Sequence, residues 1–299
     1  MEVKQDKAYQ QALTCLTPLR AAQLAALEGQ GIVEELRLRA GRPPAVKTAA
    51  GERALDLAAV TPQELRETLS RAARYSVHSY TESLKNGFVP LSGGHRLGLC
   101  GTVAAENGQV IGVRGLSSVN LRVARQIEGV GDEIAPWVGD GPPRSVLLLS
   151  PPGYGKTTLL REWVRLVSDK GYTVAVADER SEIAALSDGV PQFEVGRCTD
   201  VLEACGKKQA ALMLLKTMSP ALLAFDEITA PEDVEAVSLC AHCGTAVLAS
   251  AHAEGVEDLA KRPLYRALLE LHLFERAVVI GRKDGGRSYR MVRLEGGAC

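Results

Sequence analysis

Residues 146–158 read VLLLSPPGYGKTT, an apolar run that leads into glycines, a lysine and two threonines. The second half matches the phosphate-binding pattern G-x-x-x-x-G-K-[ST], except that Ser150 stands where the pattern begins with glycine. That position lies where a strand enters the loop, and serine is small enough to turn there. Because an apolar strand precedes the loop and the amphipathic stretch KTTLLREWVRLVS follows it, we interpret the segment as a phosphate-binding loop rather than a chance Gly-Lys-Thr.

The residue types of this loop suit a bound triphosphate. Gly153 and Gly155 let the main chain approach phosphate oxygens, and the N-terminus of the following helix attracts anions. Lys156 can reach the β- and γ-phosphates, and the Thr157 hydroxyl can ligate Mg²⁺. The predicted nucleotide-binding residues are Ser150, Pro151, Pro152, Gly153, Tyr154, Gly155, Lys156, Thr157 and Thr158.

Buried strands and helices alternate on both sides of this loop. The apolar runs SVLLLS, YTVAVAD, ALLAFDE and GTAVLASAH are typical of strands covered on both faces, and a helix is predicted over 156–169. This alternation predicts an α/β fold with a mostly parallel sheet and right-handed crossovers. The last part, RAVVIGRKDGGRSYRMVRL, is predicted to form a hairpin.

The N-terminal part has a different pattern. A helix is predicted over 8–28, a hairpin in VEELRLRAGRPPAVKT, and a second helix from a capping box at Thr61 and Glu64 to about Tyr75. Short β-like runs with glycine turns, including Glu-Asn-Gly, follow. EGVGDEIAPWVGDGPPRS is predicted to join two domains, with room for one short helix. We therefore predict a smaller α+β domain over 1–135 and a P-loop domain over 136–299.

Two acidic side chains end another predicted strand, PALLAFDEI. This is the pattern of a Walker B strand, in which Asp226 holds Mg²⁺ and Glu227 polarises the attacking water as general base. On its own the pattern would fit a buried strand that ends on two solvated acids. Its position downstream of a phosphate-binding loop favours the catalytic interpretation.

Two further strand ends carry candidate catalytic groups. VAVADERSEIAAL places Glu179 at the carboxyl end of a predicted strand, where ligands bind in open α/β sheets, so it is a second candidate for water activation. His252 in VLASAHAE could sense the γ-phosphate through a hydrogen bond. The alternatives are a polar loop for Glu179 and a locally bonded loop histidine for His252.

Hydrolysis of a triphosphate also calls for positive charge beyond Lys156, commonly an arginine from a neighbouring subunit. The sequence does not select one candidate. The candidates on the nucleotide side and in the first domain are Arg180, Arg197, Arg96, Arg122 and Arg125.

Composition limits the other classes of function. Lys plus Arg number 35 and Asp plus Glu 36, so bulk charge gives no strong signal for nucleic-acid or anionic-lipid binding. No stretch looks like a signal peptide or approaches the roughly 20 apolar residues that span a bilayer, so we expect a cytoplasmic protein. Cys240 and Cys243 in CAHC could begin a zinc site, although buried small residues on a helix are the favoured interpretation.

Taken in order, SPPGYGKTTLLRE, VADERSEIA, GRCTDVLEAC, MSPALLAFDEI and ASAHAEGVEDLAKRP resemble the stage III sporulation protein AA family. EELRLRAGRPPAV, GFVPLSGGHRLGLCGTV and SSVNLRVARQIEG are similar to the family's N-terminal blocks. The resemblance covers about residues 30–280. It departs at Thr229, where the family usually has glycine.

This family is similar in turn to secretion and pilus ATPases. The resemblance therefore implies a RecA-like P-loop NTPase domain that uses ATP and Mg²⁺, with Glu179 in an acidic box and His252 in a histidine box. It implies a homo-oligomeric ring, a hexamer, with arginines reaching across subunits. It also implies integral membrane partners in a sporulation channel complex, with the protein peripheral at the mother cell membrane that faces the forespore.

Two alternatives stay open from the sequence. One is an ATP-dependent nucleic-acid-binding protein or motor, although no basic tail or appended module supports it. The other is a nucleotide switch that barely hydrolyses. The joint presence of Lys156, Asp226 and Glu227 favours turnover.

Overall fold

A computed structural model of the chain describes residues 7–27, 31–73, 84–85, 87–106, 109–125, 130–283 and 286–294. The chain forms two compact units. One comprises Met1–Arg125 with Ser187–Gln192, and the other comprises Gln126–Leu186 with Phe193–Cys299.

The first unit combines short helices with an antiparallel sheet, as the α+β prediction requires. The six strands lie in the order β3-β2-β1-β6-β5-β4, and each neighbouring pair is antiparallel. The elements are α1 (Lys7–Leu13), α2 (Pro18–Ala25), β1 (Glu35–Arg39), β2 (Ala45–Thr48), β3 (Gly51–Ala54), α3 (Pro62–Ala72), β4 (Phe88–Pro90), β5 (Arg96–Glu106) and β6 (Gln109–Arg122).

The prediction of one helix over 8–28 is wrong, because two helices, α1 and α2, occupy this region. Thr17 is extended, with φ −60° and ψ 146°, and Pro18 begins α2. A residue before proline avoids the helical conformation, so the chain breaks here. Both helices still bury their apolar faces, as the buried side chains of Leu13 in α1 and Leu24 in α2 show.

The predicted hairpin and the start of the next helix are confirmed. β1 pairs antiparallel with β2, and the Thr61 hydroxyl caps α3 by accepting from the Glu64 N–H at 3.1 Å. The Glu64 carboxylate does not close the capping box but binds Arg20 at 2.7 Å. The helix ends at Ala72, and the predicted end at Tyr75 lies outside the described residues.

The glycine-rich segment that follows forms one long hairpin rather than several short strands. β5 and β6 pair from Arg96 opposite Arg122 to Glu106 opposite Gln109, with two register shifts between. Glycines here lie within bulged strands instead of ending them. The predicted Glu-Asn-Gly turn falls partly on residues 107–108, outside the described residues.

The second unit has a seven-stranded sheet in the order β13-β12-β7-β11-β10-β8-β9. All neighbouring pairs are parallel except the closing hairpin β12–β13, so the α/β prediction is confirmed. The elements are α4 (Val130–Val138), β7 (Val146–Leu149), α5 (Lys156–Asp169), β8 (Val174–Asp178), β9 (Thr199–Glu203), α6 (Lys207–Thr217), β10 (Leu222–Glu227), α7 (Pro231–His242), β11 (Ala246–Ala251), α8 (Val256–Lys261), α9 (Pro263–Leu269), β12 (Arg276–Lys283) and β13 (Gly286–Arg293).

Helices cover both faces of this sheet. Along β7, Val146 and Leu148 face a core formed with α4 and α5, whereas Leu147 and Leu149 face a core formed with α6 to α9. This two-sided burial explains the continuous apolar strands. Helix α4 lies across the predicted boundary at 135/136 and packs with the second unit through Ile134. The division into domains 1–135 and 136–299 remains a proposal.

Strand β9 has no counterpart among the predicted strands. It lies at the edge of the sheet, and all five of its residues are only partly buried. An edge strand needs no continuous apolar run, and therefore Thr199–Glu203 gives no strand signal in the sequence.

Candidate nucleotide-binding site

The loop after β7 has the backbone of an anion cradle. β7 and Ser150 are buried, and Gly153 and Gly155 have φ of 77° and 90°, a left-handed conformation that favours glycine. A Cβ atom at Gly153 would meet nothing within 4 Å, so this part of the loop faces open space. Helix α5 begins at Lys156, and its first N–H groups lie directly behind the loop.

Lys156 is buried at the centre of this cradle. Its Nζ donates to the backbone oxygens of Ser150 at 3.1 Å and Pro151 at 3.4 Å, and contacts His252 Nδ1 at 2.6 Å. Burial lowers the pKa of Lys156, and the nearby Glu227 carboxylate opposes that effect. The ammonium is thus held within the loop by weak neutral acceptors, which anionic phosphate oxygens can replace.

A cluster of hard oxygen atoms lies beside the loop. Thr157 Oγ1 is 3.5 Å from both carboxylate oxygens of Asp226, and Ser250 Oγ is 3.4 Å from Oδ1. Burial, with the neighbouring acidic side chains, raises the pKa of Asp226 to about 6. Oxygen donors of this kind are the ligands that Mg²⁺ prefers, and a nearby cation favours the ionised carboxylate. The residues present therefore fit Mg²⁺.

Asp226→Asn is expected to stabilise the protein in the absence of ligands. Because the pKa of Asp226 is raised from 3.8 to about 6, the folded chain binds more protons than the unfolded chain between these values. Its free energy of unfolding therefore falls as pH rises through this window, and a neutral amide removes that loss. We expect a gain of about 1–3 kcal/mol at about pH 8 and a smaller gain at about pH 5, measured by urea unfolding.

The matched control is Glu232→Gln, which removes an exposed carboxylate from α7. This control should leave the free energy of unfolding within about 0.5 kcal/mol of the parent. A destabilised Asp226→Asn protein at both pH values would contradict the account.

Glu227, His252 and Lys156 form a continuous chain of polar contacts. His252 Nε2 lies 2.7 Å from Glu227 Oε1, and its Nδ1 faces the Lys156 ammonium. Since an ammonium has only donors, Nδ1 accepts, and the Nε2 proton is donated to Glu227. His252 thereby connects the end of β11 to the end of β10 and to the loop.

Glu179 occupies a different environment at the end of β8. Its carboxylate pairs with Lys207 Nζ at 2.6 Å, and that lysine, whose side chain is only 3% exposed, also lies 3.5 Å from Asp233. Asp233 in turn accepts from the Thr229 N–H at 2.8 Å. Glu179 is thus engaged in an ion-pair network, whereas Glu227 faces a histidine.

Asp178 organises the loop that follows β8. It is fully buried and accepts hydrogen bonds from the backbone N–H groups of residues 182–185 at 2.8–3.4 Å. Arg161 of α5 donates to two carbonyl oxygens of the same segment at 2.6 Å and lies over the Phe193 ring at 3.9 Å. This loop is therefore anchored to both β8 and the helix behind the phosphate-binding loop.

Comparisons with known proteins show the family of this chain. The family model for sporulation stage III, protein AA matches residues 10–295. The stage III sporulation protein AA of Bacillus subtilis (strain 168) is 38% identical over 258 residues, which cover 85% of this chain and 84% of that protein. The chain belongs to the stage III sporulation protein AA family.

Solved structures confirm the RecA-like fold of this family member. The pilus retraction motor PilT with bound ADP superimposes with a TM-score of 0.61 at 17% identity, over 87% of this chain and 79% of that chain. The Legionella pneumophila ATPase DotB gives a TM-score of 0.58 at 13% identity, over 87% and 75%. Among the described residues, no helix has both the length and the apolarity to cross a membrane.

The candidate arginines lie in several places. Arg180 is exposed in the loop after β8, and Arg197 donates to the Asp169 carbonyl at 3.1 Å. Asp169 is the last residue of α5, so Arg197 lies at the end of that helix away from the phosphate-binding loop. In the first unit, Arg96 lies 4.5 Å from the Phe88 ring and faces Arg122 across the β5–β6 pair, and Arg125 follows β6.

Several site residues have no signal in the sequence. Ser250 joins the site because β11 lies beside β10, and Lys207, the first residue of α6, joins it through its ion pair with Glu179. The Tyr265 hydroxyl likewise bridges the ends of β10 and β11, since it accepts from the His252 N–H and donates to the Ile228 oxygen, each at 3.3 Å. The departure from the family at Thr229 is accommodated through its bonds to Asp233 at the start of α7.

Proposed function

We propose that this protein is an ATPase that hydrolyses ATP to power a sporulation-specific secretion or channel complex. One observation carries the proposal: Lys156, Thr157, Asp226 and Glu227 converge at the carboxyl edge of the sheet, as phosphoryl transfer requires. The similarity to the pilus retraction motor PilT, which was solved with ADP, supports it.

Each group of residues at the site has a part in this proposal. The N–H groups of the loop and of α5 bind the β- and γ-phosphate oxygens, and Lys156 adds a positive charge to them. Thr157 and Asp226 would hold Mg²⁺, which when bound neutralises negative charge on the phosphates. The remaining proposed contacts to the nucleotide come from the backbone of residues 150–158.

Glu227 is the proposed general base. Its carboxylate accepts from His252 and lacks an ion pair with lysine or arginine among the described residues, whereas Glu179 pairs with Lys207 at 2.6 Å. Lys207 therefore holds the carboxylate of Glu179 directly, whereas the carboxylate of Glu227 contacts the His252 imidazole beside the phosphate-binding loop. His252 positions Glu227 and, through Lys156, links the base to the phosphates.

Ring assembly and membrane partners complete the proposal. The family and the fold support a homo-oligomer, proposed to be a hexamer, in which an arginine of a neighbouring subunit acts on the nucleotide. Arg180, Arg197, Arg96, Arg122 and Arg125 remain the candidates. The proposed location is the mother cell membrane facing the forespore, where integral membrane proteins of the channel would bind the ring.

ATP turnover by the purified full chain, measured over a concentration series together with light scattering, tests this function. We expect turnover per subunit to rise with concentration and the mass to approach about six subunits. A monomer with constant turnover per subunit would contradict shared sites. Tight ATP binding without turnover would indicate that the protein is a nucleotide switch and not a motor.

A further inference from the structure

Two arginines of the C-terminal hairpin lie against the phosphate-binding loop. Arg282 of β12 and Arg287 of β13 face each other in the hairpin register. A Cβ atom built on Gly155 would lie 2.7 Å from Cζ, 2.8 Å from Nη2 and 2.9 Å from Nε of Arg287. The guanidinium of Arg287 therefore packs flat against the glycine that precedes Lys156.

The neighbouring contacts fix this arrangement. The Arg282 guanidinium lies 4.9 Å from the centre of the Tyr154 ring, so the hairpin contacts two consecutive residues of the loop. The Arg287 side chain also bonds the Tyr289 hydroxyl, on the same face of β13. Tyr289 packs on the apolar core beneath α5, which anchors that face of the strand.

Two arginines face each other at this point of the hairpin. Across the described ranges, no carboxylate forms a salt bridge with Arg282 or Arg287, whereas Arg20, Arg165 and Arg262 all pair with carboxylates. Like charges that face each other across a strand pair are destabilising. Arg287 also packs on Gly155, the residue that directly precedes the positive end of α5. A polyanion is the ligand that such a cluster fits.

We infer that the β12–β13 hairpin is a wall of the nucleotide site and that Arg287 binds nucleotide phosphates in cis. The inference rests on the proposed function and deepens it, since it assigns a cationic ligand from the same subunit in addition to any arginine of a neighbour. The planar fork of arginine suits bidentate binding of phosphate, and its position beside Gly155 places it at the anion cradle. Arg282 holds the hairpin against the phosphate-binding loop through its contact with the Tyr154 ring.

Binding of ADP and AMP, measured by calorimetry at fixed Mg²⁺, tests this assignment. Arg287→Gln should weaken ADP binding by roughly tenfold or more and AMP binding by less, because AMP lacks the β-phosphate. Arg287→Lys should recover part of the loss. Arg290→Gln, on the exposed face of the same strand, should bind both nucleotides like the parent.

The outcomes separate this inference from the proposed function. Unchanged ADP binding by Arg287→Gln, or equal losses for ADP and AMP, would overturn the role of Arg287. A structural role would also overturn it. In that case Arg287→Gln would have a lowered unfolding temperature without nucleotide, and Arg287→Lys would restore this temperature without any gain in ADP affinity. If the parent protein binds no nucleotide at all, the proposed function fails and this inference with it.

Discussion

Lys156→Ala is expected to lower ATP turnover by at least about a hundredfold while the protein folds normally. Lys156 Nζ lies within the cradle and bonds only neutral acceptors, so the alanine variant loses a charge aimed at the phosphates. Removing this buried ammonium also removes a desolvation cost, and we therefore expect no loss of stability. Phosphate release and thermal unfolding measure the two effects.

Lys208→Ala serves as the matched control for this prediction. Lys208 lies on the exposed surface of α6, where it pairs with Glu235. Exposed pairs of this kind contribute little to stability, so turnover and unfolding temperature should stay close to those of the parent. If Lys156→Ala turns over ATP at the parental rate, the assignment of the phosphate-binding loop is wrong.

Glu227→Gln is expected to bind ATP but to hydrolyse it at least about a hundredfold more slowly. The amide keeps the shape of the side chain and can still accept from His252 Nε2, but it cannot take a proton from water. Binding should persist because the phosphates contact the loop and Lys156. Single-turnover hydrolysis and equilibrium binding of ATP distinguish the two steps.

Glu179→Gln is the informative comparison. Glu179 pairs with Lys207, so its loss should disturb the network around Asp233 without removing the base. We expect turnover to fall by less than about tenfold, in line with an indirect contribution. If Glu179→Gln is the slow variant and Glu227→Gln is not, the general base has been assigned to the wrong glutamate.

Local patterns predicted the parts of the site that lie within one strand–loop–helix unit. The loop before Lys156, the start of α5 and the acidic end of β10 all follow from short stretches whose physical requirements are local. Glycine conformations, an apolar strand and a helix N-terminus can each be identified from neighbouring residues. The parallel order of the strands then brings Glu179 and His252 to the same edge of the sheet.

Contacts between distant segments could not be predicted in this way. Nothing near Lys207 in the sequence indicates that it meets Glu179, and Arg287 approaches Gly155 only because β12 lies beside β7. Edge strand β9 is a further example. It forms because it pairs with β8, and its own residues carry no apolar pattern that would predict a strand. These features depend on tertiary packing, which local propensity does not encode.

The buried carboxylate of Asp178 lowers the entropy cost of binding a ligand at this site. Because it fixes the N–H groups of residues 182–185, the segment loses its conformational freedom when the chain folds. Arg161 holds the opposite side of that segment through its carbonyls. The segment therefore loses little further conformational entropy when a nucleotide binds. It is a preorganised part of the site, and its ordering does not reduce the affinity for the nucleotide.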